Sequence, residues 1–507
     1  MKLSELADTA QEVAATSSRL AKVDILARLL EHADGDDIRP VTGFLLASPR
    51  QGRLGVGWRS LTGLEVVHAA DPELTIAAVD ESLDAIAHAS GAGSATRRTE
   101  LLVSLASRAT ADEWDFLSRV MLGDLRTGAL GGVLLDAVAR ASGRPAATVR
   151  RAAMLSGDLG ETALIALTGT AEDLEAVGLR VGRPVLPMLA ASAPTPSAAL
   201  ETTGEARVEY KLDGARIQVH RTGDEVAVYT RSLADITHRV PEIVDVVRSL
   251  PARDLILDGE TLALDEDGRP RPFQDTMSRF GADVARDLAL RPWFFDLLHV
   301  DGRDLIDEPL ATRLDELERV AGAWRMPGIV TADAHAAEEL SREALAAGHE
   351  GVVVKAVDSA YTAGRRGKSW VKVKPVLTYD LVVLAAEWGS GRRRGMLSNL
   401  HLGALDPAGE FGDPGGLVMV GKTFKGLTDE LLRWQTETFP AHEIHSTPYA
   451  VFLRPEFVVE IAIDGVQRST RYPGGVALRF ARVKGYRPDK TVADADTIQS
   501  VRALLRD

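Results

Sequence analysis

The segment Glu209–Tyr210–Lys211–Leu212–Asp213–Gly214–Ala215–Arg216 holds the residues best placed to do chemistry. A lysine ends an alternating, strand-like stretch and runs at once into a tight Asp-Gly turn, with Arg216 just beyond. Such a turn can hold an amine in a cleft. The amine is a nucleophile only when neutral, and an ordinary lysine has a pKa of about 10.4. Neighbouring cations or a bound metal would depress that value. Lysine, any residue, aspartate, glycine is a four-residue pattern, and alone it is better explained as an exposed hairpin lysine. Its weight depends on the rest of the chain.

The elements that would position Lys211 lie mid-chain. Residues 206–212, 217–221 and 226–230 alternate as short strands between Asp-Gly and Gly-Asp turns. Helical patterns over 239–250 and 312–322 interrupt them, which is an α+β texture built from hairpins. Before this region the chain reads as helical, with apolar residues three and four apart at Leu26, Leu29, Leu30 and again at Leu101, Leu102, Leu105. The small, proline-bearing stretch 191–197 reads as a linker. After Pro375, strand-like runs at 381–386, 400–405, 417–421 and 457–463, with one helix over 427–437, suit an OB-fold. The expected organisation is therefore multidomain: an all-α N-terminal unit over 1–195, an α+β core over 200–375, and an all-β OB-fold over 376–507.

Composition agrees with this division. At ~150 residues per domain, 507 residues call for about three. No apolar run approaches the ~20 residues that span a bilayer, and the first residues lack an export signal's apolar stretch. No membrane partner is expected. The absence of cysteine excludes disulfides, zinc ribbons, iron–sulfur ligation and thiol nucleophiles, and favours a cytoplasmic address. A net charge of −14 rules against a uniformly basic surface but not against nucleic acid, since phosphates respond to the local field at a binding face. Among the histidines no metal-ligand spacing is found.

Downstream of Lys211, further segments follow in order: Thr230–Arg231–Ser232, Leu257–Asp258–Gly259–Glu260, Phe294–Phe295–Asp296, Glu350–Gly351 through Lys355, Trp370 through Pro375, and Leu478 through Lys490. With these in place the chain resembles the covalent nucleotidyltransferases, and specifically the ATP-dependent DNA ligases of three-domain bacterial or archaeal type. One short motif is weak evidence, whereas six in order is strong. The likeness reaches the N-terminal half. Residues 123–130 are similar to the family's DNA-binding-domain segment, and 183–189 to its exit into the catalytic core. The resemblance implies an all-α DNA-binding domain, an α+β nucleotidyltransferase (adenylation) core and a C-terminal OB-fold.

It also implies roles. Lys211 would attack the α-phosphate of ATP, release pyrophosphate and carry AMP as a phosphoramide. Glu209 would read the adenine amino group and Phe295 would stack on the base. Glu260 and Glu350 are hard oxygen donors suited to Mg²⁺ or another divalent cation, Glu260 also to a ribose hydroxyl. Arg216, Arg231, Lys372 and Lys374 would surround the phosphates, with Arg366 a further nucleotide contact. Strand alternation puts Lys372 and Lys374 on one face and Val371 and Val373 on the other. On the OB-fold, Arg479, Arg482, Arg487, Asp489 and Lys490 would orient the leaving pyrophosphate during lysine adenylation, before that domain swings away to clamp DNA.

The partner so implied is nicked duplex DNA, bound by a monomer. The basic clusters Arg97–Arg98, Arg150–Arg151 and Arg392–Arg393–Arg394 are candidates for its backbone. RNA ligases and GTP-using capping enzymes share the core motifs, but the long helical N-terminal region disfavours them. Lack of cysteine disfavours an NAD-dependent ligase, which usually carries a four-cysteine zinc module. A DNA-binding protein on a decayed ligase scaffold should have lost Lys211 or a metal carboxylate, and neither is missing.

Overall fold

The computed structural model describes residues 1–52, 54–125, 127–128, 131–281, 289–362, 366–390 and 393–505. Among these, helices alone run from Leu3–Ala15 to Ala171–Glu175. Their apolar spacing decides their packing: in the first helix Leu3, Leu6, Ala7, Ala10 and Val13 are buried, a three-and-four period on one face. Thr110 and Glu113 close a capping box at the start of Ala111–Met121. No helix among the described residues is long and apolar enough to cross a membrane.

The stretch 191–197 is not a linker. Leu189–Ala193 is a strand, β1, and Thr195 Oγ1 accepts from the Ala198 amide to start helix Pro196–Thr203. Threonine followed by proline is a helix-start signal, which the small-residue composition masks.

The core consists of two five-stranded sheets. Its strands are β2 (Ala206–Lys211), β3 (Ala215–Thr222), β4 (Glu225–Thr230), β5 (Asp254–Ala263), β6 (Leu290–Val300), β7 (Arg303–Asp304), β8 (Gly328–Thr331), β9 (Gly351–Ala356) and β10 (Arg366–Val373). One sheet runs β1-β10-β9-β2-β8 and the other β4-β3-β5-β6-β7. The expected helices appear at Pro241–Arg248 and Leu310–Ala321. Lys211 does not sit in a hairpin, because β2 and β3 belong to different sheets and the Asp213–Gly214 turn carries the chain between them. Gly214 is required there: a Cβ would lie 2.5 Å from the Thr261 carbonyl oxygen.

The C-terminal OB-fold has more strands than its sequence pattern announces: β11 (Leu377–Trp388), β12 (Leu397–Asp406), β13 (Gly416–Thr423), β14 (Glu443–Ser446), β15 (Ala450–Leu453), β16 (Val458–Ile463), β17 (Gly465–Arg468), β18 (Val476–Arg479) and β19 (Arg482–Tyr486). Strand β11 is central, pairing with β12, β15 and β16. Helix Asp429–Thr438 stands between β13 and β14.

The three parts touch. Arg151 makes a bidentate pair with Asp307 of the core (2.7 and 2.6 Å), and Arg183 Nε donates to the Ser156 carbonyl. Met154 and Leu155 share an apolar cluster with Val185, Met188, Phe295 and Trp370. Across the other face, Gln274 exchanges two hydrogen bonds with the Arg468 backbone of the OB-fold.

Candidate active site

Sheet register assembles the site. Pairing of β2 with β9 sets Lys211 opposite Gly351, and the Glu350 amide donates to the Lys211 carbonyl. Lys211 Nζ therefore meets the Glu350 carboxylate. Gly351 tolerates this crossing because its φ is +138°, and a side chain would meet the Val373 oxygen at 2.3 Å. Val371 and Val373 of β10 are buried while Lys372 and Lys374 lie half-buried on the other face, as alternation requires. Lys374 Nζ reaches the second Glu350 oxygen at 2.8 Å. In the other sheet, β3–β5 pairing sets Arg216 opposite Glu260.

These groups charge one another. Burial lowers the Lys211 pKa, but Glu350 first, then Glu260 and Asp213, outweigh it and leave the ammonium above its ordinary value. The side chains nearest the amine are thus carboxylates and not the expected depressing cations. Glu350 is held below its ordinary range: burial opposes ionisation, and Lys211 and Lys374 overcome it. Glu260 is pushed up to about 7 by burial, with Lys211 and Arg216 opposing and Asp258 and Glu350 reinforcing. A buried carboxylate so poorly compensated suits a divalent cation. Among the described residues no third acidic or histidine side chain joins these two, so phosphate or water oxygens would complete a hard-cation shell.

A buried aromatic and charged cluster lies behind. Phe294 is wholly buried in the core, while Phe295, on the opposite face of β6, meets Trp370 edge-on at 5.9 Å. Glu209 is buried beside Lys355, whose ammonium stands 4.0 Å from the Phe295 ring centroid and 4.2 Å from that of Trp370. Burial pushes the Glu209 carboxyl up and the Lys355 ammonium down, each opposed by the other's charge. Glu209 Oε2 accepts no hydrogen bond and Trp370 Nε1 donates none. Arg207 Nε stands 3.9 Å from that Glu209 oxygen. Arg216 is gripped by Asp258, with Nε at 3.0 Å and Nη2 at 2.6 Å, and exposed Arg231 borders the same wall.

The OB-fold closes the front. A cleft of about 360 Å³ between the two domains is lined by Asp213, Gln274, Glu350, Lys374, Asp464 and Arg479, among others. Arg479 forks onto Asp213 (2.6 and 3.0 Å), and Asp464 bridges Lys374 and Arg482 at 3.3 Å each. Arg487 and Lys490 instead share Asp380, and Arg487 also binds Asp489. Those three residues are committed within the OB-fold, and of the five only Arg479 lines the cleft. The side chain of Arg366, and Arg126, Ala129, Leu130 and Arg392 altogether, lie outside the described residues. Arg150 pairs with Asp136, and Arg151 with Asp307, so that cluster braces the protein internally.

Sequence reasoning assigned no part to Lys355, Asp258, Trp370 or Tyr361. The first three stand in segments that were recognised, where strand alternation could have pointed Lys355 inward. Tyr361 follows no periodic pattern and gave no signal.

Comparison with known proteins agrees with this geometry. The chain matches family models described as "DNA ligase N terminus" over residues 61–139, "ATP dependent DNA ligase domain" over 187–374 and "ATP dependent DNA ligase C terminal region" over 393–490. It is 65% identical to a "Probable DNA ligase" of Pseudarthrobacter chlorophenolicus across all of both chains. A "Probable DNA ligase" of Saccharopolyspora erythraea is 58% identical, over 99% of this chain and 98% of that one. The solved structure "Pmar-Lig_Pre." shares the fold at a TM-score of 0.62, with 19% identity, 95% of this chain and 99% of that one covered. With all three regions matched in order and a relative this near along its whole length, the chain belongs to the ATP-dependent DNA ligases, enzymes that seal nicks in duplex DNA through an adenylate intermediate.

Proposed function

We propose that Lys211 carries the AMP. Its Nζ attacks the α-phosphorus of ATP and pyrophosphate leaves. The nick's 5′-phosphate then takes AMP from the lysine, and the adjoining 3′-hydroxyl attacks that phosphate and expels AMP. The observation that carries this reading is the meeting of Lys211 and Lys374 on the Glu350 carboxylate, beside a cleft that Glu350, Lys374 and Arg479 line, with Glu260 nearby. Glu209 and Phe295 select adenine, supported by the Glu209 oxygen that accepts no hydrogen bond and the inward Phe295 ring. Arg216, Arg231, Arg366, Lys372 and Lys374 bind ribose or phosphate. Arg479 orients pyrophosphate, with Arg482, Arg487, Asp489 and Lys490 reaching it only if the OB-fold rearranges.

Glu260 and Glu350 would hold Mg²⁺ or another divalent cation, which when bound supplies positive charge against the phosphate oxygens. Glu350 favours the protonated form of Lys211, so release of that carboxylate is part of making the amine a nucleophile. The helical unit ends before β1, which pairs with β10 in a core sheet. Duplex DNA contacts fall to Arg97–Arg98 and Arg392–Arg393–Arg394, with the part-exposed Arg150–Arg151 a further candidate. The protein works as a cytoplasmic monomer at the nick-sealing step common to replication, repair and recombination. Incubation with α-labelled ATP or GTP and Mg²⁺, followed by a denaturing gel, tests the assignment. Strong labelling by ATP and much weaker labelling by GTP is expected. Equal labelling would remove the base-reading roles of Glu209 and Phe295.

A further inference from the structure

Behind the nucleotide pocket, on the segment joining β9 to β10, lies a tyrosine that touches neither the lysine nor the cleft. Tyr361 is only 1% exposed. Its hydroxyl donates to Asp258 Oδ2 at 2.7 Å and accepts from the Met188 amide at 3.0 Å and from Arg216 Nη2 at 3.2 Å. One proton given and two lone pairs filled is all that a phenol can do. Burial first, then the Asp258 carboxylate, pushes its pKa well above the ordinary value, so it stays a donor.

Its three partners are themselves connected. Asp258, 1% exposed, takes both arms of the Arg216 fork. Arg216 Nη1 donates to the Met188 carbonyl at 2.7 Å, so the Met188 peptide groups are held from both sides, by Tyr361 and by Arg216. Met188 immediately precedes β1, where the chain enters the core from the helical domain. The arginine Cζ stands 5.4 Å from the Phe295 ring centroid, and the Tyr361 ring packs edge-on against Trp370 at 5.8 Å.

We propose that Tyr361 is a positioning residue for lysine adenylation: through Asp258 it fixes the Arg216 guanidinium beside the Phe295 ring, and it anchors the incoming Met188 strand at the same point. This rests on the reading that Arg216 binds the nucleotide. A guanidinium already locked presents its charge without reorganising when ATP arrives. Removal of the phenolic oxygen leaves the Met188 amide without its acceptor and Asp258 without one donor, and frees the arginine to turn.

The test is single-turnover labelling of the full chain with α-labelled ATP and Mg²⁺ over a range of ATP concentrations. It compares wild type, Tyr361→Phe, Arg216→Ala and the double variant, each corrected for its active fraction. Tyr361→Phe should raise the ATP concentration for half-maximal rate by about fivefold to tenfold. In the Arg216→Ala background it should add little, because its effect passes through that side chain. A merely structural tyrosine would lower the active fraction and the melting temperature and leave half-saturation unmoved, which overturns the proposal. Additive effects of the two substitutions overturn it as well, while leaving the Arg216 reading intact. Arg216→Ala with wild-type ATP dependence overturns that reading and this proposal with it. Should Tyr361→Phe fail to fold, Asp258→Asn breaks the same link from its other end and must show the same shift. Unchanged half-saturation in that variant is equally fatal.

Discussion

A protonated Lys211 cannot attack phosphorus, and the carboxylates around it hold the proton in place. Glu350 is the lysine's counter-ion and is proposed as a cation ligand as well, whereas Glu260 is a carboxylate without adequate compensation. Glu260→Gln and Glu350→Gln keep shape but lose charge, and each should lower Mg²⁺-dependent nick sealing on the order of 10²-fold. A Mg²⁺ titration of sealing rates checks this, and near-normal rates at limiting Mg²⁺ would remove both as cation ligands. At this scale much was legible. Glu209, Lys211, Glu260, Glu350 and Lys374 sit in short segments whose chemistry is local. The Lys355 ammonium beside Glu209 and the Tyr361 hydroxyl were not, because their partners lie on other strands.

Strand register turns those segments into a site, and one buried histidine shows how firmly the elements are tied. His220 in β3 accepts the Gly182 amide at Nδ1 (2.9 Å) and meets Gln218 Oε1 through Nε2 (2.9 Å), an arrangement that needs the neutral ring. Burial, reinforced by His299, pulls its pKa from 6.5 down to about 3. The unfolded chain therefore takes up a proton that the folded chain refuses. Stability is full above pH 6.5 and falls as pH drops from there toward 3. At pH 5 the cost is about 2 kcal/mol. Urea unfolding at pH 7 and pH 5 should show that loss in wild type and its absence in His220→Gln. Equal pH dependence in the two would contradict the assignment. The central strands and the helices Pro241–Arg248 and Leu310–Ala321 follow from periodicity. Strand β1 did not: a leucine and four small residues carry no visible alternation, and its identity comes from pairing in parallel with β10, far along the chain.

Over the whole molecule, the OB-fold is held on the core by Arg479 at Asp213 and by Asp464 at Lys374. This arrangement sets the one cation of the C-terminal motif that lines the cleft against the turn that follows the nucleophile. Arg479→Ala should slow lysine adenylation on the order of 10²-fold, and should slow sealing of an already adenylated nick much less. Comparison of the two rates on one preparation decides it, and equal losses would reduce Arg479 to a fold contact. Three-part organisation was legible from texture alone, helical, mixed, then strand and turn. The docking was not, nor the commitment of Arg487 and Lys490 to Asp380, because ion pairs between residues a hundred positions apart leave no period in a sequence.

The claim on which all else depends is that Lys211 carries AMP between ATP and DNA. It is tested most directly with Lys211→Ala on two substrates, an ordinary nick supplied with ATP and Mg²⁺, and a nick already bearing 5′-AMP. In the last step the 3′-hydroxyl is the nucleophile and AMP the leaving group, so the lysine is dispensable there. The variant should seal none of the first substrate and a measurable fraction of the second. Joining of ordinary nicks by Lys211→Ala using ATP would contradict the covalent mechanism outright.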